Sequence, residues 1–246
     1  IYLRNSTFPE RKIPALQKSQ QAGGKLSNIL IEELISARPD AKIYIMYGQT
    51  EATARLSYLP PDMLKAKIGS VGQAIPDVKL SVLDKTGREV SPGEMGEIIA
   101  QGENISPGYL NEAKVNAEKF TSGSLKTGDM ATVDEEGFIY ILDRKSDFIK
   151  SYGNRVSSQE VETCILELKE VIAVAVVRAP DPLRGEAICA FVVLCANARI
   201  TEKEIITHCA KRLARYMIPR DVIFTSSLPT NQHGKVLKSQ LEKMVS

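Results

Sequence analysis

Residues 137–153 read GFIYILDRKSDFIKSYG. Phe138, Tyr140 and Leu142 alternate with Ile139, Ile141 and Asp143 after the turn sequence DEEG, a period of two that predicts a strand. The pattern then breaks. Asp143, Arg144, Lys145, Ser146 and Asp147 are polar or charged in an unbroken row, which a strand covered on both faces could not hold without neutralising partners. The simplest account is a polar link between two folded pieces, although taken alone the stretch also reads as an ordinary surface loop.

Upstream, Leu30, Leu34 and Ile35 recur at helical spacing between Ser27 and Ser36, and Pro39 stops the helix. Lys42 to Tyr47, KIYIMY, is a nearly unbroken apolar run, as expected of a strand covered on both sides in an α/β sheet. It ends on GQTE, and the loops just beyond strand ends are where such sheets bind ligands. One helix and one buried strand cannot make a doubly wound sheet, so the expectation is that most of an α/β domain lies outside this sequence or that these residues pack on another chain. From Gly69 to Ile141, strands such as VKLSVLD and MGEIIAQG alternate with turns such as DKTGRE. That spacing predicts a small β-barrel or antiparallel sheet, with one helix near Glu112 to Phe120.

Downstream, Ser157 and Glu160 form a capping pair before Val161, Cys164, Ile165 and Leu168 on one helical face. Strands VIAVAVV and AICAFVVL follow. Thr201 and Glu204 repeat the capping signature, and Ile205, Cys209 and Leu213 predict a second helix ending before Pro219. A strand near Val222 to Thr225 and a short terminal helix complete a compact α+β domain.

The chain has 246 residues, 43% of them apolar, enough for a substantial core in one or two domains. Its 32 basic and 30 acidic residues nearly cancel, so there is no field suited to nucleic acid. No apolar run is long enough for a membrane span, and the opening IYLRNSTFPERKIP lacks the build of a secretory signal; the expectation is a cytoplasmic protein. Cys164, Cys189, Cys195 and Cys209 sit in apolar runs without a close pair at metal spacing, and only His208 and His233 could assist them. They read as reduced core residues of a reducing compartment.

Three motifs carry chemistry. In YGQTE, residues 47–51, Tyr47 can stack on a base, Thr50 can donate to a phosphate oxygen, and Glu51 offers a hard oxygen to Mg2+; the bland alternative is a polar turn after a buried strand. In KTGDM, Asp129 can accept hydrogen bonds from two ribose hydroxyls, although most Gly-Asp turns merely reverse the chain. In LPTNQHGKVLK, Gly234 permits a tight loop and Lys235 projects a compact charge. A lysine about 4 Å from a phosphate charge gains about 4 kcal/mol at an effective dielectric of 20, about a thousandfold in rate if felt only in the transition state. An exposed loop lysine is the alternative.

YGQTE, GEIIAQGENISPGYL, SLKTGDMA, GFIYILDRKSDFIKSYGNRVSSQEVE, LARYMIP and NQHGK stand in the order found in the adenylate-forming enzymes, which include acyl-CoA synthetases, luciferases and peptide-synthetase adenylation domains. The chain resembles that family over essentially its whole length. The resemblance implies that 1–72 form the last part of a large N-terminal α/β adenylation domain, 73–143 a β-barrel subdomain, 144–147 a hinge and 148–246 a small mobile α+β lid. It implies that Tyr47 and the backbone near Gly24 sandwich adenine, with Gly48 and Gln49 beside the nucleotide and Thr50 on its phosphate. Glu51 would hold Mg2+, Asp129 and Arg144 the ribose, and Lys235 the adenylation transition state. Ser146 falls at the hinge position, Gly153 in the loop that lines the pantetheine tunnel after the lid turns, and Lys150 at a lysine serving the second half-reaction in some relatives.

The implied function is an AMP-forming acid–thiol ligase using ATP, Mg2+ and coenzyme A on a small carboxylic acid. Coenzyme A is favoured because the linker lacks the glutamine-containing pattern of peptide-synthetase domains. An adenylation domain loading a carrier protein is the runner-up. A non-catalytic nucleotide-binding or partner-binding module is a third reading, against which Lys235, Glu51 and Asp129 argue. Two departures stand out: the family's glycine, serine and threonine-rich phosphate loop is absent, and Lys25 stands where many relatives have proline. The expectation is that residues 1–246 alone bind ATP poorly and turn over little or nothing.

Overall fold

The computed structural model describes residues 3–232 and 234–245. His233, one of the two histidines weighed above as a cysteine partner and part of NQHGK, lies outside the described residues.

The first sheet has four strands. β1 (Lys18–Gln21) runs parallel to β2 (Lys42–Tyr47), with Gln21 opposite Ile45. In chain order α1 (Asn28–Ala37) falls between the two strands; it starts where the Ser27 hydroxyl accepts the Leu30 N–H and it buries Ile31. β3 (Ser57–Leu59) and β4 (Gln73–Ala74) extend the sheet antiparallel. In KIYIMY, Ile43 and Ile45 are buried, whereas Tyr44 and Met46 are half-covered. β1 reads KSQQ and was not foreseen, because an edge strand alternating between exposed and half-covered polar residues has no apolar signature.

The second sheet is antiparallel and built from β5 (Val78–Leu83), β6 (Gly96–Gly102), β7 (Phe120–Thr121), β8 (Ser124–Val133) and β9 (Ile139–Arg144), in the order β5-β6-β8-β7 with β9 also on β8. α2 (Ala113–Lys119) precedes β7. The backbone at Val71 and Gly72 exchanges hydrogen bonds with Ile139, so this segment takes the outer edge of β9. Unlike the sequence expectation, β9 runs two residues into the polar row. Asp143 is buried at 1% exposure and accepts the Arg144 N–H, and the Arg144 guanidinium pairs with Asp129 3.2 Å away. The ion pair of Arg144 and the hydrogen bond to Asp143 let the strand keep both groups, and the exposed polar link begins at Lys145.

The third sheet holds the hairpin β10 (Ile149–Ser151) and β11 (Asn154–Val156), the long β12 (Val171–Asp181) and β13 (Gly185–Leu194), and β14 (Asp221–Phe224), in the order β11-β10-β13-β12 with β14 parallel to β13. α3 (Ser158–Leu166) and α4 (Glu202–Ala210) form one core with Val176, Ile188, Ala190 and Val192. α5 (Lys238–Glu242) places Leu241 in a second core with Ala175, Val177, Cys189 and Phe191. This strict alternation explains why both strands read as continuous apolar runs: each face is covered. Thr201 and Glu204 make a full capping box, whereas at α3 only the Ser157 hydroxyl acts, accepting from the Glu160 N–H. α4 stops at Ala210, short of Leu213, whose N–H reaches back to the Cys209 carbonyl before a 3-10 turn at Arg215–Met217.

The chain divides into two compact units, one of residues 1–12, 27–38 and 147–246, the other of 13–26 and 39–146. The division cuts across 1–72, and Ser146 is the last residue of the second unit. In the first unit, Arg4 pairs with Glu33 on α1 and donates to the carbonyls of Leu168 and Val171. No helix among the described residues is long and apolar enough to cross a membrane. All four cysteines are free. Cys164, Cys189 and Cys209 are buried, but Cys195 is only half-covered, because it follows the last residue of β13 and leaves the core.

Candidate functional site

The end of β2 delivers Tyr47 beneath a strained turn. Gly48 is dictated by space: a Cβ there would lie 2.2 Å from the Ala54 carbonyl oxygen. Thr50–Ala52 then form a single 3-10 turn that ends with Thr53 and Ala54 in the left-handed region. Asn104, from the loop after β6, clamps this turn by donating to the carbonyls of Ala52 and Arg55, while its own carbonyl accepts the Thr53 hydroxyl at 2.8 Å. Ser106 N–H binds the Glu51 carbonyl. Backbone strain of this kind persists only where the surroundings fix it.

Three side chains from three strands converge beside that turn. The Tyr47 hydroxyl donates to Asp129 Oδ2 at 2.7 Å, and Arg144 Nε lies 3.2 Å from Asp129 Oδ1. Asp129 and Arg144 face one another in the β8–β9 register. Gly128, with φ +78°, makes the bend that aims Asp129, and the Thr127 hydroxyl accepts the Asp129 N–H. Burial, followed by the Asp129 charge, pushes the Tyr47 hydroxyl far above its ordinary value, so it remains a donor. Its ring packs with two apolar clusters, one around Val82, Ile98 and Ile139, the other around Leu56, Ala100 and Leu125. Gln49 donates to the Thr127 carbonyl at 3.4 Å, and Thr50 is exposed.

Glu51 is held more firmly than its sequence context suggests. Lys119 Nζ lies 2.6 Å from its Oε1, and the Tyr109 hydroxyl donates to the same oxygen and accepts from Lys119 at 2.7 Å. Burial raises the carboxyl, but the hydrogen bonds from Lys119 and Tyr109 outweigh it and bring it down to about 2. Gly24 is exposed with its carbonyl bonded by Gln21, and Lys25 Nζ donates to the Ile141 carbonyl at 2.8 Å. The second unit therefore brings together Tyr47, Gly48, Gln49, Thr50, Glu51, Asp129 and Arg144. Asn104 and Tyr109 lie in GEIIAQGENISPGYL, one of the motifs that carry the resemblance, but were given no role there, and Lys119 in AEK carried no signal beyond a helix surface.

The other expected residues lie on the first unit. Tyr152 and Gly153, both at positive φ, form the two-residue turn of the β10–β11 hairpin. Lys150 is exposed on β10, and its backbone N–H donates to Glu186 at 2.6 Å. Lys235 is exposed on a tight hairpin in which the Lys235 N–H binds the Asn231 side chain and Gly234 takes φ +76°.

An AMP-binding enzyme family model matches residues 3–110, and an AMP-binding enzyme C-terminal domain model matches 160–235. The chain belongs to the adenylate-forming, AMP-binding enzymes. Among family members, a 2-succinylbenzoate–CoA ligase of Bacillus cereus (strain ZK / E33L) is 34% identical over 243 residues, 99% of this chain and 48% of that protein. The o-succinylbenzoate CoA synthetase of Bacillus subtilis, solved with its acyl-adenylate intermediate, aligns with TM-score 0.84 at 32% identity over 94% of this chain and 47% of that one; it has also been solved with ATP and magnesium ion. An amide bond synthetase of Marinactinospora thermotolerans gives TM-score 0.87 at 28% identity over 99% and 50%. The chain spans about half the length of the relatives it matches. Its mixed α/β architecture is that of the adenylate-forming enzymes, and its relatives are acyl-CoA-type ligases. The AMP-binding match takes in Tyr47 to Glu51, Asn104 and Tyr109; the C-terminal match ends on Lys235; Asp129 and Arg144 fall between the two.

Proposed function

We propose that the protein containing these residues is an AMP-forming acid–thiol ligase. A carboxylate oxygen of the acid attacks the α-phosphorus of ATP, pyrophosphate leaves, and a thiol then displaces AMP from the acyl carbon. The observation carrying this reading is the convergence of Tyr47, Asp129 and Arg144 within hydrogen-bonding distance beside the Gly48–Ala52 turn. Asp129 is an acceptor matched to paired ribose hydroxyls, Arg144 borders it as a donor, and Tyr47 and the Gly24 backbone flank the base. Gly48 and Gln49 shape the nucleotide wall, and Thr50, exposed at the turn, reaches a phosphate oxygen.

Glu51 fits Mg2+, an ion that takes one or two protein carboxylates and completes its shell with phosphate and water. When bound there, the ion neutralises phosphate charge. Lys235 stabilises the charge that develops on adenylation, Ser146 is the pivot of a lid formed by 148–246, and Gly153 and Lys150 serve the thiol half-reaction. Catalysis is mainly positioning and charge neutralisation. Coenzyme A is the thiol, the substrate is a small carboxylic acid, and the free cysteines fit a reducing, cytoplasmic setting.

The test is acid-dependent exchange of pyrophosphate into ATP by the longer protein, followed by product analysis with coenzyme A, a phosphopantetheinylated carrier or an amine as acceptor. Acid-dependent exchange and a CoA thioester are expected. Exchange without acid, or none with any carboxylic acid across aliphatic and aromatic panels, would sink the reading. Residues 1–246 alone, which lack the glycine-rich phosphate loop, are expected to show little turnover in the same assay.

A further inference from the structure

The last turns of α3 and α4 meet at a group of side chains that the nucleotide chemistry does not use. Cys164 and Glu167 stand three residues apart at the C-terminal end of α3, and so share a face. His208 comes from the last turn of α4. One donor atom from each of the three lies within 4.8 Å of the other two, the one such group among the described residues.

The spacing suits a coordinating ion. His208 Nε2 is 3.0 Å from Glu167 Oε2 and 3.0 Å from the Cys164 carbonyl oxygen. Two ligand atoms each about 2.0–2.1 Å from a tetrahedral zinc stand about 3.3 Å apart, so the imidazole and carboxylate are already near the separation of neighbouring ligands. Exposure is graded across the group. Cys164 is buried at 5%, the His208 side chain is at 13% and that of Glu167 at 39%, which puts the sulfur at the floor and the carboxylate at an open rim.

We propose that Cys164, Glu167 and His208 bind one divalent transition cation of the zinc class, through sulfur, oxygen and nitrogen, with water completing the shell. The mixed set selects a borderline-soft ion over Mg2+ or Ca2+, which take oxygen alone. On binding, the thiol proton leaves to solvent and the imidazole proton moves from Nε2, which now faces the Cys164 carbonyl, to Nδ1, so that His208 offers the Nε2 lone pair and Cys164 its thiolate. Cys209 lies in the same buried cluster as Cys164 and is not counted among the three ligands. Arg212 now holds Glu167 Oε2 at 2.5 Å and must share or release that oxygen. The ion would link the two helices whose faces form the core of this unit, stabilising it by mass action.

The test uses the chain after chelator treatment under a phosphine reductant, titrated with Co2+. One equivalent should bind with visible d–d bands and a near-ultraviolet thiolate-to-cobalt charge-transfer band, and Zn2+ should displace it and raise the melting temperature. Cys164→Ser should abolish the charge-transfer band, and His208→Ala should weaken Co2+ binding by about a hundredfold. Cys195→Ser, at a cysteine outside the group, should change neither. Because Cys164 is buried, circular dichroism checks that its variant folds, and the exposed-side variant Glu167→Gln gives an independent arm in which affinity should fall. Absence of a thiolate band at one equivalent, or bands that survive both Cys164→Ser and His208→Ala, would overturn the proposal.

Discussion

The ammonium of Lys119 lies 2.6 Å from the carboxylate of Glu51. The group proposed to hold Mg2+ thus has a cation of the chain's own on one of its two oxygens, brought by the last residue of α2. A divalent ion must use the other oxygen or displace the lysine. Lys119→Met keeps the length and removes the charge, and should lower the Mg2+ concentration at which pyrophosphate exchange is half-maximal in the longer protein. It should also destabilise the fold by about 1 kcal/mol, a modest value because the pair is partly exposed. An unchanged Mg2+ dependence would show that lysine and metal do not compete.

The same pair fixes a pH dependence. The Glu51 carboxyl lies near 2 in the fold and at 4.5 in its ordinary state, so its contribution is complete above 4.5 and is lost as pH falls towards 2. Acid unfolding followed by circular dichroism should therefore shift to higher pH in Lys119→Met. In Glu51→Gln the part of the transition between 4.5 and 2 should flatten.

Asp129 joins Tyr47 to Arg144, and the two hydrogen-bonded sides are separable. Asp129→Asn leaves Arg144 beside a neutral amide and should weaken AMP binding by about 10–100-fold, the equivalent of one or two charge-assisted hydrogen bonds. Tyr47→Phe removes one donor and keeps the ring; it should cost about 1 kcal/mol of stability and less than about tenfold in affinity. Isothermal titration with AMP distinguishes them, and equal losses would remove Asp129 from the ribose.

Gly48 and Gly24 make a steric contrast. A Cβ at Gly48 meets backbone at 2.2 Å, whereas one at Gly24 meets nothing within 4 Å. Gly48→Ala should destabilise by about 1–3 kcal/mol or more through forced backbone movement, and Gly24→Ala should change urea stability little. A tolerated Gly48→Ala would mean that the turn yields easily.

Lys235 is exposed on its hairpin, so Lys235→Ala should leave the melting temperature unchanged. In the longer protein it should slow adenylation by about a thousandfold while thioester formation from supplied acyl-adenylate stays nearly intact. Equal losses in both steps would argue against separate roles for the two parts of the protein.

Much of this was legible in the sequence where burial writes a period into it. β12 and β13 read as strands because both faces are covered, Ser157 and Thr201 announced two helix starts through their hydroxyls, and the spacing of Leu30, Leu34 and Ile35 announced α1. β1 was invisible because KSQQ pairs by backbone alone at an edge. Asp143 misled because a carboxylate buried at 1% exposure, accepting the N–H of its neighbour Arg144, is held inside the strand rather than in a polar link. YGQTE and KTGDM were each readable, but the bond from Tyr47 to Asp129 spans 82 residues and joins strands of two different sheets. Lys119 looked like any helix-surface lysine until α2 was placed against Glu51.

Three residues beyond Lys235, Lys238 reaches Glu162 at 2.8 Å and the Ser158 hydroxyl at 2.6 Å on α3, while Leu241 fills the far core. The hairpin is thereby moored a few residues from its tip. Where its cation rests is inherited from a helix some 70 to 80 positions earlier in the chain, so drift in the packing of α3 would retune a distant loop without altering a single residue within it.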